Sequence, residues 1–203
     1  MKKRKVLVIG NGPSIKDEKR GHFIDSFDGE ICRFNSFRFQ DSKTGEDLRE
    51  YTGERCDMWV TTDCFPKWAK MYDYKRVFYM SFDMSPEEQK FLTFKEIIPK
   101  AEKIPRWAWN QTGDRMGFSG CSSGAIAVYY FQTLYEEVHL YGFDFFQGAT
   151  HHYGDTVGSG TLHKADFEKR YFMQMIVDGT AHPFCDYLGT DVVTRAKEYL
   201  SNG

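Results

Sequence analysis

The chain has 203 residues, of which 41% are hydrophobic, and this length suits one sizeable core but falls short of two typical domains. The formal charge of −2, with Lys and Arg spread along the chain, excludes the basic patch of a nucleic-acid-binding protein. No apolar run is long enough for a signal peptide or a membrane span, and five cysteines without a CxxC pair argue against a disulfide framework. These features predict a cytoplasmic protein whose residues 1–203 form a single domain.

Apolar runs follow one another at the spacing expected of strands in an alternating α/β fold. The first run, residues 6–9, leads into a glycine-rich turn. Further strands are predicted at residues 31–34, 57–61, 76–81 and 137–141. Several of them end in small or polar residues, as parallel strands do where they meet a ligand crevice. The pattern predicts a Rossmann-like α/β fold, with an open, mostly parallel sheet and helices on both faces.

Helix signals lie between these strands. Ser85 caps a predicted helix, Pro86 is its first residue, and Glu88 completes the capping pattern. Three further helices are predicted, at residues 123–135, 163–177 and 191–200. The first of the three is apolar nearly all round, which indicates a buried helix.

Residues 40–56 and 98–118 carry neither a strand pattern nor a helix pattern. The second stretch contains Pro105, Trp107 and Trp109. It is interpreted either as a lid over the functional site or as a packed surface loop.

The turn after the first strand partly matches a dinucleotide-binding loop. That loop has the pattern GxGxxG, in which the third glycine allows close contact between helix and strand, but this chain has Ile15 there. The acidic residue expected about 20 residues further on is also absent. Arg33 and Asn35 stand near that place instead. An NADP-dependent oxidoreductase, with Arg33 on the 2′-phosphate, is therefore kept as an alternative, as is a purely structural turn.

A second candidate site begins at Ser122, Ser123 and Gly124, which open the buried helix. A helix N-terminus presents unpaired N–H groups and a partial positive charge, so these residues are candidates to hold an anion. Plain capping by serine is the other interpretation. The helix leads to the strand at residues 137–141 and then to the turn at residues 142–144.

Histidines cluster in the last third of the chain, at positions 151, 152 and 163. No two of them lie at i, i+4 and no cysteine joins them, so the pattern does not predict a metal site. Lys164 and Glu168 are interpreted as an i, i+4 ion pair on a helix surface, as are Asp166 and Arg170. His163 stands at the start of the predicted helix, where the helix dipole favours a neutral imidazole that is able to act as a general base.

In their order along the chain, these motifs resemble those of the sialyltransferases. The GNGPS start is similar to that of the bacterial enzymes (glycosyltransferase family 42), and the later motifs are similar to those of the animal-type enzymes (family 29). The large motif of the animal-type family is matched by Gly10-Asn11, residues 24–28, Arg33-Phe34-Asn35 and residues 52–57. The later motifs are matched by Ser122-Ser123-Gly124, residues 138–143, residues 151–155 and the pair His163 and Glu168.

The resemblance implies a sialyltransferase-type variant of the Rossmann-like fold and a CMP-sialic acid donor, or a donor carrying a related nonulosonic acid. It implies an inverting, metal-independent transfer to a hydroxyl of a glycan acceptor, with no cofactor besides the donor. His163 would be the general base, while His151 and Tyr153 would stabilise the departing phosphate. The resemblance assigns donor binding to Gly10, Asn11, Gly12, Ser14, Asn35, Ser122, Ser123, Gly124, Tyr141, Gly142, Phe143 and Asp144.

The chain departs from the two families at several points. It shows no membrane anchor, and Cys32 and Cys121 do not stand at the cysteine positions of the animal-type enzymes. His152 stands where many members have a tyrosine, and Phe146 stands where the bacterial enzymes have a phosphate-binding tyrosine. A non-catalytic nucleotide-binding or glycan-binding module is therefore a further alternative.

Overall fold

The computed structural model describes residues 4–62, 66–80, 86–144, 151–154, 164–184 and 191–202. The strands are β1 (Lys5–Ile9), β2 (Glu30–Phe34), β3 (Met58–Thr61), β4 (Arg76–Tyr79), β5 (Ala101–Lys103), β6 (Glu137–Tyr141) and β7 (His182–Pro183). They form one sheet of seven strands in the order β5-β4-β3-β2-β1-β6-β7. Neighbouring strands all pair in parallel. The prediction of an open, parallel α/β sheet is confirmed.

Eight α-helices and one 3-10 helix are assigned in the described parts of the chain. The 3-10 helix, Pro13–Asp17, follows β1 directly. The α-helices are α1 (Gly21–Asp25), α2 (Arg49–Thr52), α3 (Pro66–Ala69), α4 (Pro86–Ile97), α5 (Arg106–Met116), α6 (Ser123–Gln132), α7 (Ala165–Val177) and α8 (Val192–Ser201). Among these helices, none combines the length and the apolarity needed to cross a bilayer.

Side chains of the central strands alternate between the two faces of the sheet, and buried apolar clusters lie on both faces. On β1, Val6 and Val8 pack in the core that α5, α6, α7 and α8 cover. Leu7 and Ile9 point to the other face, where Ile15 of the 3-10 helix closes a second cluster. Successive residues of a strand point to opposite faces, and a strand covered on both faces must be apolar throughout. This explains the uninterrupted apolar run that starts the sequence, and it confirms helices on both faces.

The five strands expected from the sequence are present, with ends shifted by a residue or two. The sequence did not predict β5 or β7, because β5 has the polar sequence AEK and β7 is two residues long. Residues 98–118, which lacked a clear pattern, contribute β5 and the helix α5. That helix buries Ala108, Thr112 and Met116 against its neighbours.

Candidate functional site

The strand order reverses direction at β1, and this reversal places the candidate site. Strands β2 to β5 extend to one side of β1, whereas β6 and β7 extend to the other. The turns that follow β1 and β6 therefore leave the sheet at the point where the chain connections diverge. In open α/β sheets, ligands bind at the carboxyl ends of the strands at such a switch point. Residues 10–14 and 142–144 meet at this position.

These two turns are hydrogen-bonded to each other. The N–H of Gly10 donates to the carbonyl of Tyr141 at 2.8 Å, and the N–H of Gly12 donates to the carbonyl of Gly142 at 2.9 Å. The backbone N–H groups that a phosphate would need from these glycines are thus already used within the protein. The glycine turn therefore does not present these N–H groups to a phosphate, as the loop of a dinucleotide-binding protein does.

Ser14 and Asp144 complete the connection between the turns. The backbone N–H of Ser14 donates to Asp144 Oδ2 at 2.7 Å, and the Ser14 hydroxyl donates to the other carboxylate oxygen. Both residues were expected to contact the donor directly. The structure shows them bonded to each other, so Asp144 fixes the loop that carries Asn11, and their contact with the donor stays a prediction.

The glycines of the two turns are explained by this close approach. A Cβ on Gly10 would lie 2.3 Å from the carbonyl oxygen of Gly142, and one on Gly12 would lie 2.4 Å from Asp144 Oδ2. Gly142 has a φ of +70°, and a Cβ there would lie 2.6 Å from Ile15 Cδ1. The isoleucine that replaces the third glycine of the dinucleotide pattern therefore packs directly over Gly142.

Asn35 is the second asparagine of the site and follows β2. It has a φ of +47°, a left-handed conformation that asparagine tolerates better than most residues. Its side-chain oxygen accepts hydrogen bonds from the N–H of Thr62 at 3.0 Å and from the Thr62 hydroxyl at 3.2 Å. The group that Asn35 can offer to a ligand is consequently its amide NH2.

Residues 151–154 lie against the loop after β1. The N–H of His152 donates to the carbonyl of Asn11 at 3.0 Å, and the N–H of Ser42 donates to the carbonyl of Tyr153 at 2.8 Å. The rings of His151 and Tyr153 are stacked, with their centroids 5.0 Å apart. The structure thus brings His151 and Tyr153, the two residues predicted to stabilise the leaving group, next to Asn11.

The sequence did not identify the residues that hold this segment in place. One of them is Ser42, whose N–H donates to the carbonyl of Tyr153. The other is Arg38, whose guanidinium lies 5.4 Å from the centroid of the Tyr153 ring. Both residues belong to an irregular stretch that carries no periodic pattern, so no sequence signal marked them.

His152 is buried between the two loops, with a side chain only 3% exposed. Its Nε2 lies 3.0 Å from the carbonyl oxygen of Arg38. A carbonyl can only accept, so Nε2 carries the hydrogen and Nδ1 is the bare nitrogen of a neutral ring. Burial is the main reason that the pKa of His152 falls to about 4.

This burial predicts a loss of stability in mild acid. Between pH 6.5 and about 4, the unfolded chain binds a proton at His152 that the folded chain does not, so the free energy of unfolding decreases as the pH falls. The full effect amounts to roughly 3 kcal/mol. In the variant His152→Gln, the amide can still donate to Arg38, and we expect a flatter dependence of the melting temperature on pH over this window.

The exposed His22 provides the matched control for that measurement. Thermal unfolding of His22→Gln should follow the wild-type pH profile. An unchanged profile for His152→Gln would show that His152 does not carry the acid sensitivity.

The N-terminus of α6 is capped by Ser122, as one of the two interpretations expected. The Ser122 hydroxyl accepts from the N–H of Ala125 at 3.1 Å and donates to Glu168 Oε1 at 2.5 Å. Glu168 is 3% exposed, so its interpretation as a surface ion-pair partner of Lys164 is wrong. The Lys164 ammonium instead lies over the ring of Phe118, 4.9 Å from its centroid.

A carboxylate of the protein therefore already meets the positive end of α6, which favours negative charge. Ser123 and Gly124, which follow Ser122 at this end of the helix, are both half-buried. Gly124 packs against Phe143, because a Cβ at Gly124 would lie 2.8 Å from Phe143 Cε1. The α6 terminus and the turn after β6 thus border the same crevice.

Arg33 does not have the role that the oxidoreductase alternative gave it. Its side chain is 2% exposed, and it donates to the carbonyls of Thr52 at 2.6 Å and Arg55 at 3.0 Å. A buried guanidinium that is bonded to the backbone is not available to a 2′-phosphate. The structure thus removes the contact on which that alternative depended.

Three residues of the sequence-based site, Phe146, Asp155 and His163, lie outside the described residues. The residue after His163, Lys164, is the N-cap of α7. Within the described segments, no group of three or more His, Cys, Asp or Glu side chains is arranged to hold a metal ion.

Comparison with known proteins identifies a similar fold but no family. No protein-family model matches the sequence, and no curated protein matches it significantly. Among solved structures, the chain is similar to a mammalian sialyltransferase determined in complex with Gal-beta-1-3GalNAc-ortho-nitrophenol, with a TM-score of 0.60. The match covers 89% of this chain and 69% of that enzyme, at 19% sequence identity.

Proposed function

We propose that the protein is a glycosyltransferase of the sialyltransferase type, similar to families 29 and 42. In this proposal it transfers sialic acid, or a related nonulosonic acid, from a CMP-sugar to a hydroxyl of a glycan acceptor. The observation that carries the proposal is that the loop of Asn11 contacts both residues 151–154 and the end of β2, which Asn35 follows, at the switch point. The similar fold of a mammalian sialyltransferase supports it.

The residue types at this point suit the departure of CMP. As the bond to the sugar breaks, negative charge gathers on a monophosphate, and hydrogen-bond donors placed around it stabilise the transition state. Asn11 is near the end of β2, since its amide nitrogen lies 3.5 Å from the carbonyl oxygen of Phe34. In this proposal the amides of Asn11 and Asn35 and the half-buried ring of His151 donate to that phosphate. Tyr153 is 2% exposed and stacks on His151, so its part is to hold that ring in place.

The donor carboxylate belongs at the N-terminus of α6 in this proposal. Ser123 and Gly124 lie there, and a helix N-terminus favours an anion. The acceptor hydroxyl then attacks from the face opposite the departing CMP, with inversion at the anomeric carbon. His163 is proposed to remove the proton from that hydroxyl, since it precedes the N-cap of α7 and α7 is tied to α6 through Glu168 and Ser122.

Binding of CMP tests the proposal most directly. CMP at 100 times its dissociation constant should raise the free energy of unfolding by about 2.7 kcal/mol. We expect a clear thermal shift with CMP, a smaller one with UDP and none with NADP. The variant Asn11→Ala should weaken the CMP shift, whereas Asn202→Ala, at the exposed end of α8, should retain it. A shift with NADP and none with CMP would contradict the proposal.

The proposal includes transfer without a divalent metal. Because hydrogen-bond donors of the protein stabilise the monophosphate in this scheme, we expect the rate of transfer to be the same with EDTA as with added magnesium or manganese. An activity that EDTA abolishes and manganese restores would refute this part of the proposal. A protein that binds CMP but transfers no sugar to any acceptor would instead be the non-catalytic module.

A further inference from the structure

The irregular stretch after β2 contains a turn that is built around Asp41. The side chain of Asp41 is buried, with 7% of its surface exposed, and its Oδ1 accepts the N–H groups of Lys43 at 2.9 Å and Thr44 at 3.0 Å. Its backbone closes the same turn, since the N–H of Asp41 donates to the carbonyl of Glu46 at 2.9 Å. One residue thus determines the shape of the Asp41 turn, residues 41–46.

The other carboxylate oxygen of Asp41 reaches the loop after β1. Asp41 Oδ2 lies 3.2 Å from the ammonium nitrogen of Lys16, in the 3-10 helix that follows the glycine turn. The N–H groups of Thr44 and Lys43, together with the charge of Lys16, lower the pKa of Asp41 to about 2. The carboxylate is therefore ionised near neutral pH and is too weak a base to take a proton from a substrate.

The Asp41 turn holds the segment of residues 151–154. The N–H of Ser42 donates to the carbonyl of Tyr153 at 2.8 Å, and the Ser42 hydroxyl donates to the same oxygen. The Asp41 carboxylate itself lies close to Gly154, where an added Cβ would be 3.3 Å from Oδ1. The turn therefore fixes the backbone of Tyr153 and borders the residue that follows it.

The position of Tyr153 in turn determines that of the His151 ring. The two rings are stacked, with their centroids 5.0 Å apart and their planes inclined by 28°. The N–H of Gly154 donates to the carbonyl of His151 at 2.9 Å, which closes the backbone on either side of Tyr153. A change in the shape of the Asp41 turn is therefore expected to move the His151 ring.

Placement decides how well a hydrogen-bond donor stabilises a transition state. Such a donor acts over a narrow range of distance and angle, and a displacement of about 1 Å can lower a rate by roughly 10²-fold. We propose that Asp41 is a positioning residue: through Ser42 and Tyr153, it holds the His151 ring where that ring donates to the departing phosphate. The role of His151 in transfer rests on the proposed function, whereas its placement by Asp41 does not.

The variant Asp41→Ala tests this role, because it removes both the acceptor of two backbone N–H groups and the partner of Lys16. We expect its kcat for transfer to fall by roughly 10²-fold. The KM for the acceptor should not change, because His163 acts on the acceptor hydroxyl in the proposed mechanism. Asp41→Asn keeps an oxygen that can accept the two N–H groups, so it should recover most of the lost kcat. A folded Asp41→Ala protein with the wild-type kcat would overturn the proposal.

Asp47→Ala is the matched control, because it removes a similar carboxylate from the same stretch of chain. Asp47 also accepts a backbone N–H, that of Arg49 at 3.0 Å, but it is exposed and pairs with the side chain of Arg49. Its loss should leave kcat unchanged. Ser42→Ala removes only the hydroxyl bond to Tyr153 and should lower kcat by about fivefold, the equivalent of one hydrogen bond. This variant tests the proposal even if Asp41→Ala does not fold.

The placement of His151 can be measured by NMR without any transfer reaction. The Tyr153 ring shifts the signals of the His151 ring that stacks on it, and these signals are identified by their loss in His151→Gln. In protein labelled with ¹³C-histidine, Asp41→Ala should move them toward the position of an unstacked histidine, whereas Asp41→Asn and Asp47→Ala should not. Unmoved signals in folded Asp41→Ala would overturn the proposal. Moved signals, in a protein whose wild type transfers no sugar, would confirm the placement and reject the transferase.

Discussion

Replacing His163 by alanine should lower the rate of sugar transfer by roughly 10²–10⁴-fold, the usual effect of removing a general base. The affinity for CMP should change little, because His163 is proposed to act on the acceptor hydroxyl and not on the nucleotide. His163 stands five residues before Glu168, and the next residue, Lys164, is the N-cap of α7. Turnover, CMP affinity and melting temperature should be measured on the same preparation.

His22→Ala provides the control for this experiment, since His22 is an exposed residue of α1. It should leave turnover, CMP affinity and stability unchanged. If His163→Ala lowers stability and CMP affinity together, the histidine has a structural role. A folded His163→Ala protein with near wild-type turnover would remove His163 from the mechanism and direct attention to His151.

Gly10→Ala should lower the free energy of unfolding, because the added methyl group overlaps the turn after β6. The new methyl group would lie 2.3 Å from the backbone oxygen of Gly142, and neither turn can move without loss of the hydrogen bonds between them. Overpacking of this kind typically costs 1–3 kcal/mol, and we expect a loss of about 3 kcal/mol here because the obstacle is backbone. CMP binding should weaken as well, since Asn11 follows directly on the displaced residue.

Gly113→Ala is the matched substitution for that experiment. It places a methyl group in ordinary contact, 3.4 Å from the nearest atom, and should stabilise α5 by about 0.5–1 kcal/mol. Denaturant unfolding and the CMP thermal shift can be compared directly for the two variants. Equal stabilities for Gly10→Ala and the wild type would mean that the two turns are not packed as described.

The parallel sheet was predictable because its central strands are covered on both faces and their sequences are mostly apolar. The short edge strands escaped prediction for the same physical reason. β5 and β7 lie at the two edges of the sheet, so their side chains need not be apolar, and β7 is only two residues long. The helix α5 contains Gly113 and many polar residues, and its apolar positions are too few to produce a clear pattern.

The candidate site was predictable in its location but not in its internal bonding. Motif order identified Asn11, Asn35, His151 and Tyr153, and the structure brings the loops that carry them together. It did not reveal that Ser14 and Asp144 bind each other, because such a bond depends on three-dimensional proximity. Nor did it reveal that Glu168 is buried, since the i, i+4 rule considers a helix in isolation and omits its neighbours.

The bond between Ser14 and Asp144 also bears on how the protein folds. It joins residues 130 positions apart in sequence, and β1 pairs with β6 over a similar separation. Contacts of such long range form slowly because a large loop must close before they contribute any stability. During synthesis, β2 is made soon after β1, but β6, the neighbour of β1 on its other side, is made more than 100 residues later. Until β6 is made, β1 presents one unpaired edge, and a nascent chain halted before that point would carry an aggregation-prone strand and no binding crevice.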